Sequence, residues 1–482
     1  MHLRLVLRLL GILVFFLGVS MAAPLLFSLI QGDGSASALA YSSVITCVIG
    51  LVVFLIFRKA GETHLNHRDG IAIVALGWAV AGMVGAIPFL LSSSIKSVTD
   101  ACFESISGFT TTGASILTDI EKLPESVLLW RSIIQWVGGM GIIVLSIAVL
   151  PFLGVGGMQL YKAEIPSPVV DKLKPRISDT ARTLWKVYIL FTALEILLLV
   201  AGGMSLFDAV NHTFCTMPTG GFSPKNGSIA HYNSLYFDGV IILFMLIAGI
   251  NFSLHYRLLQ GDFKICLRDV ECRVFLGLVA FFTLAVTIDI YGPVYDSLGK
   301  ALRHASFQVS SIITTTGFVT ANYEKWPSFS QKILILCMFL GGMAGSTGGG
   351  LKTMRITLLV KHTYQEIFKI IHPHAVTSVK LGGKAVPTDV LNSIWGFTFL
   401  ALALFVAAAL AMAALGLDMI SAFSSVAACI FNVGPGLGLV GPIHNYSSLP
   451  LAGKWVLVFC MLVGRLEFYT VIILLIPEYW RK

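Results

Sequence analysis

Long apolar runs alternate with shorter, half-polar ones along most of this chain, and the alternation repeats. Residues 1–30 and 42–57 predict two membrane spans. From residue 70 onward one unit recurs: a long apolar run, a short mixed run, a polar word ending in glycine, and a second long run. Unit one places these at 71–91, 99–109, Gly113 and 127–150; unit two at 185–207, 208–216, Gly220 and 235–256. Unit three has them at 274–290, 300–313, Gly317 and from 331 onward; unit four at 390–415, 419–430, Gly434 and 453–476. The short runs hold ~10–14 residues, fewer than the ~20 that a helix needs to cross a bilayer. Irregular backbone at membrane depth is tolerated only inside protein or beside water. The short runs therefore predict re-entrant half-helices.

The words themselves are Thr110-Thr111-Thr112-Gly113, Met217-Pro218-Thr219-Gly220, Thr314-Thr315-Thr316-Gly317 and Phe431-Asn432-Val433-Gly434. Glycine admits backbone conformations that other residues resist, so each word can aim carbonyl oxygens at an axis. Four such words can replace the water around a dehydrated monovalent cation. The candidate ion ligands are Thr111, Thr112, Gly113, Thr219, Gly220, Thr315, Thr316, Gly317, Asn432, Val433 and Gly434. A second word supports the repeat: the closing runs hold Gly138-Gly139, Ala248-Gly249, Gly341-Gly342 and Gly464-Arg465 at matched distance. Small residues there let helices approach closely. The expected fold is an all-α membrane protein. Residues 1–69 supply two N-terminal helices; 70–183, 184–272, 273–388 and 389–482 supply four repeats in pseudo-fourfold arrangement around one pore.

Composition agrees. Of 482 residues, 56% are hydrophobic and 12% charged, with a mean hydropathy of +0.85. Soluble domains carry about 25% charge. The net charge of +8 is no nucleic-acid signature, because the basic residues sit in particular loops, at 156–182, 261–273 and 372–384. With ten crossings and both termini inside, most Lys and Arg fall on the inner side, as the positive-inside rule requires. The acidic residues lean outward, among them Asp100, Asp119, Glu121, Asp208 and Glu324; they either draw cations to a mouth or keep loops soluble. The N-terminal run resembles a signal peptide but is long enough to span, and is read as a retained helix. Eight scattered cysteines without a CxxC pair predict neither disulfides nor zinc.

Two features break the apolar pattern. Arg465 lies within the last span, where a charge is costly and marks function by default. It either points at the axis below the words, easing ion exit, or pairs with Glu195 or Glu467. Gly345, Ser346, Thr347, Gly348, Gly349 and Gly350 interrupt a helix expected over 332–344, since four glycines in six residues cannot hold one. They predict a loop that plugs the path and moves aside. The stretch approximates GxxxxGK[ST], but Leu351 stands before Lys352 and no strand precedes it. Glu104 is expected to brace the first word from behind.

Four span–half-helix–span units with these words resemble the Trk/Ktr/HKT superfamily of potassium transporters over about residues 70–480. The two extra N-terminal spans, the glycine loop and Arg465 are most similar to its bacterial TrkH branch. The resemblance implies K+ as the ion, with Rb+ and some Na+ also passing, and Gly113 favours potassium. It also implies a homodimer in the bacterial inner membrane and a cytosolic, TrkA-like nucleotide-binding subunit that controls the gate. Passive, channel-like uptake leads. A sodium- or proton-coupled symporter of the same fold is the alternative, and a membrane enzyme trails because no catalytic pair lies at matched depth.

Overall fold

The computed structural model describes residues 2–58, 66–148, 177–375 and 377–481. Among them, helices form nearly all of the regular structure, with one antiparallel strand pair at Lys380–Leu381 and Lys384–Ala385. Among the described residues, seven helices are long and apolar enough to cross a membrane, and two bent pairs raise this to nine. The sequence predicts ten crossings. The remaining one is the closing segment of unit three, where the short apolar helix Ser328–Phe339 stops at a break.

The N-terminal span runs Leu3–Gln31 and packs along Ala36–Phe57. Their approach is close because the contact is glycine: an added Cβ on Gly50 would lie 2.4 Å from the Phe15 nitrogen. The opening helices of the four units are His67–Gly85 (continued by Ile87–Leu91), Ile177–Ala201, Val270–Ile290 and Thr388–Ala414. They turn large apolar side chains outward, such as Leu197, Ile288 and Phe399. An apolar surface of this extent suits lipid rather than water.

Inside this shell lie the half-helices Val98–Phe109, Leu206–Thr216, Leu298–Ile313 and Met419–Ile430. Each begins after a residue of a type favoured at the helix N-cap: Ser97, Ser205, Ser297 and Asp418. The side chains of Ser97, Ser205 and Asp418 accept from the backbone three residues on. From Ala101 to Phe109 and from Phe307 to Ile313 every residue is buried. These short helices are the core of the protein, as re-entrant elements must be.

The closing helices depart from the expected continuous spans in two units. Unit two runs Leu235–Gly249, then turns by 105° into Phe252–Leu259. Unit four runs Leu451–Arg465, then turns by 119° at Glu467, whose φ is +67°. Both breaks interrupt runs that the sequence reading takes as continuous spans. They are imposed by tertiary bonds. Phe252 N donates to Gly345 O at 3.2 Å and Met343 N to Gly249 O at 2.8 Å, so unit two bends where it pairs with the glycine loop. Asn251 caps the new helix by accepting from Ser253 N. The unit-three helix also ends earlier than 344, at Phe339, and resumes as Thr353–Ile371.

Candidate functional site

All four half-helices terminate in the same way. In unit one, Thr111 N donates to Gly108 O at 2.9 Å and Thr112 N to Ser107 O at 2.9 Å. Unit two repeats this with Thr219 N to Thr216 O and Gly220 N to Cys215 O, both 2.8 Å. Unit three uses Thr315 N to Ile312 O and Thr316 N to Ser311 O; unit four, Asn432 N to Cys429 O and Val433 N to Ala428 O. This pair of bonds is the Schellman arrangement, which needs a left-handed residue after the helix. That residue is normally glycine. Here it is Thr111 (φ +50°), Thr219 (+58°), Thr315 (+60°) and Asn432 (+56°). A β-branched residue at positive φ costs ~1–3 kcal/mol and persists where the surroundings enforce it, often at functional sites.

A second positive-φ residue follows two positions later: Gly113, Gly221, Gly317 and Gly434. This corrects the register of the second word. Its glycine equivalent to Gly113 is Gly221, and Gly220 stands where the others have Thr112, Thr316 and Val433. The sequence offers two adjacent glycines, and only the backbone conformation decides between them.

The four words close on one another. An added Cβ on Gly113 would lie 2.2 Å from Gly220 O, on Gly221 2.0 Å from Thr316 O, and on Gly317 2.1 Å from Val433 O. On Gly434 it would lie 2.6 Å from Thr112 O, which returns to unit one. The words thus form a ring in chain order, with four equivalent carbonyls, of Thr112, Gly220, Thr316 and Val433, each against the preceding word's glycine. Four helix C-termini converge there, and each carries partial negative charge.

The glycine loop lies directly against this ring. Thr219 Oγ1 donates to Thr347 O at 3.0 Å, and Gly349 N donates to Thr315 Oγ1 at 2.6 Å. Gly350 N donates to Phe431 O at 3.1 Å, and Thr347 Oγ1 contacts Met217 O and Ala248 O. Ser346 Oγ donates to Met343 O, just before the loop. Lys352 Nζ donates to Gly348 O. Arg465 is 3% exposed, and its Nη1 donates to Thr347 O at 2.7 Å. Its Nε and Nη2 have no hydrogen-bond partner among the described residues. The suggested ion pair with Glu467 does not form. Glu467 instead takes Arg355 at 2.6 Å, and Arg355 also stacks 4.0 Å over Phe397. Nor does Arg465 pair with Glu195 among the described residues.

The walls hold the ring from behind. Glu104 Oε1 accepts from Arg131 Nε at 2.7 Å and Ser115 Oγ at 3.0 Å, while Oε2 accepts from Ile116 N at 2.9 Å. This ties the segment after word one to the closing helix, as expected of Glu104. Arg131 continues to Ser223 O of unit two at 2.9 Å and lies 3.6 Å over the Phe222 ring. Gly138 and Gly464 do the work foreseen for small residues. Added Cβ atoms there would lie 2.1 Å from Phe109 O and 1.8 Å from Ile430 O.

The acids expected on the outer side are mostly engaged. Asp100 binds Lys454 at 2.6 Å, Asp208 faces Lys225 at 3.6 Å, and Glu324 accepts from Gly438 N at 2.7 Å. Asp119 and Glu121 hold Asn226 of the next unit. Lys122 and Asn226 bind the Asp119 carboxylate and keep its pKa below the ordinary value. These acids fasten the connecting loops to each other, which leaves less free charge there than the sequence suggests. Of the basic inner loops, residues 156–176 lie outside the described residues.

Sequence reasoning missed Gly221, the bends at Ile250 and Glu467, and Gln135, whose Nε2 donates to Gly220 O at 2.7 Å. An alignment of the four closing helices on their small residues would have exposed Gln135.

The chain matches known proteins over its full length. A family model described as TrkH, a cation transport protein, matches residues 35–482. The Trk system potassium uptake protein TrkH of Escherichia coli K12 is 44% identical over 488 residues, with both chains wholly covered. TrkG of the same organism, also named a Trk system potassium uptake protein, is 37% identical over 485 residues, covering 100% of this chain and 99% of its own. The crystal structure of the potassium transporter TrkH from Vibrio parahaemolyticus superposes with a TM-score of 0.92 at 38% identity, covering both chains completely.

Proposed function

The chain belongs to the TrkH family of cation transport proteins, and we propose that it takes up potassium through the ring of four helix ends. The family is one of multi-pass membrane transporters, not enzymes. The observation that carries the proposal is the closed ring itself. Four identically terminated half-helices bring equivalent carbonyls together, each word against the next.

Such a ring supplies what a dehydrated monovalent cation needs. Oxygens stand in for water, and four helix C-termini add favourable field without a fixed anion that would hold the ion too tightly. The bulk of K+ against Na+ sets which ion the oxygens can touch together. The left-handed Thr and Asn residues lie at the inner edge of the ring, where Thr219 and Thr315 hold the loop of residues 345–350.

In this reading the loop is the gate and the described conformation is closed. Its contacts to Thr219, Thr315, Phe431 and Arg465 are four hydrogen bonds. At about 1 kcal/mol each, they sum to ~4 kcal/mol, somewhat more than a regulatory coupling of ~1–3 kcal/mol, so opening also requires the freed groups to regain part of their hydrogen bonding. Arg465 then has two roles: it anchors the loop when closed, and its free N–H groups oppose a resting cation when open. The reading includes filters facing the periplasm, both termini in the cytoplasm, a homodimer, and a TrkA-like subunit acting on the loop from the cytosolic side.

Flux into vesicles containing the purified protein tests the proposal. Potassium and rubidium gradients should each drive uptake without a partner or a second ion gradient. Uptake that depends on a sodium or proton gradient would instead establish the coupled alternative.

A further inference from the structure

The ring has one irregular position, and a neighbouring helix answers it. Words one, three and four carry the side chains of Thr112, Thr316 and Val433; word two has Gly220 there. The vacant volume is taken by Gln135 from the closing helix of unit one. An added Cβ on Gly220 would lie 2.5 Å from both Cδ and Oε1 of Gln135. Gln135 is fully buried. Its Nε2 donates to Gly220 O at 2.7 Å, and its Oε1 accepts from Phe222 N at 3.2 Å. The two bonds clamp the chain on either side of Gly221.

The repeat shows that this residue is particular to its place. Three positions before Gly138, Ala248, Gly341 and Gly464 stand Gln135, Met245, Met338 and Met461. All four are fully buried. A primary amide in such surroundings is unfavourable unless its groups are satisfied. The one amide among three thioethers coincides with the one word that lacks a side chain and holds two consecutive glycines.

We propose that Gln135 is a positioning residue of the ion site, setting the direction of the Gly220 carbonyl. A carbonyl oxygen has two lone pairs, so Gly220 O can accept from Gln135 on one and face an ion with the other. Without the clamp, Gly220-Gly221 is the most permissive backbone of the four words. Its oxygen would no longer hold one distance from the axis, and the ring would discriminate ion size less sharply. Arg131 and Ser132 also reach unit two, at Ser223 O and Asn211 Oδ1, but neither touches the ring carbonyls. The inference rests on the reading of the ring as a potassium filter.

Potassium, rubidium and sodium fluxes of purified variants in vesicles test it. Gln135→Met should lower the potassium-to-sodium ratio roughly five-fold, the equivalent of one lost hydrogen bond. Gly220→Thr alone should impair transport, because its Cβ meets Gln135. The double variant Gln135→Met/Gly220→Thr gives unit two the pairing of its siblings, and should recover the ratio over either single change. Gln135→Glu, which loses the donor and keeps the shape, should also lower the ratio, and it serves if Gln135→Met folds poorly. A wild-type ratio in Gln135→Met or Gln135→Glu, or a double variant no better than its parents, overturns the assignment. Gly113→Ser separates the two levels. If it shifts the ratio while the Gln135 variants do not, only the role of Gln135 falls; if none shifts it, the filter reading falls as well.

Discussion

Replacing Gly113 by serine should raise sodium permeation, and the structure gives the reason and the scale. The new Cβ would lie 2.2 Å from Gly220 O. Carbon and oxygen in contact stand about 3.3 Å apart, so one of them must yield by about 1 Å. A non-glycine residue at φ +80° adds strain of ~1–3 kcal/mol. Gly113 is held on both sides, since the Gly434 position abuts its own carbonyl. The cheapest relief is rotation of the Gly220 carbonyl, which alters one of four ion ligands. A differential loss of one or two kcal/mol between potassium and sodium corresponds to a ~5–30-fold fall in their ratio. The assay is paired efflux from vesicles loaded with each ion, at matched amounts of folded protein. Gly277→Ser is the control, because nothing lies within 4 Å of an added Cβ there. An unchanged ratio in Gly113→Ser, with the protein folded, would refute the ring as the selective element.

Other perturbations address the remaining parts. Deleting residues 345–350 should raise basal potassium flux, and flux at or below wild type would remove the loop as a gate. Arg465→Ala should change potassium flux while leaving the yield of folded protein intact; loss of folded protein alone would assign Arg465 a structural role. Arg131→Met should destabilise the fold by ~3–5 kcal/mol, read as a lower thermal midpoint, because it leaves Glu104 buried without its partner. Glu195→Gln should leave the pH dependence of uptake unchanged, since passive flux needs no proton carrier; a lost pH dependence would favour coupling.

The half-helices and their words were legible because their signals are local. Serine or aspartate caps, a mixed run and a Thr-rich turn sit within fifteen or so residues, and the fourth half-helix, Met419–Ile430, has the bounds that its sequence implies. Glu104 was legible as a carboxylate in the middle of the first half-helix, away from its capped end. The register of word two was not, because two adjacent glycines are equivalent until the backbone twist is known. The bends at Ile250 and Glu467 were hidden for another reason. Their runs read as continuous spans, and the breaks are set by partners far along the chain, at Gly345 for the first and Arg355 beside the second. Arg465 stood out in the sequence as a charge within a span, but its contact is a carbonyl of the loop, which no spacing could supply.

Diffraction from crystals grown in rubidium, with anomalous differences measured at the rubidium edge, tests the central claim most directly. The account predicts a peak inside the ring, near-equidistant from the carbonyl oxygens of Thr112, Gly220, Thr316 and Val433. Rubidium bound elsewhere in the membrane-spanning region, with the ring empty at saturating concentration, would contradict it.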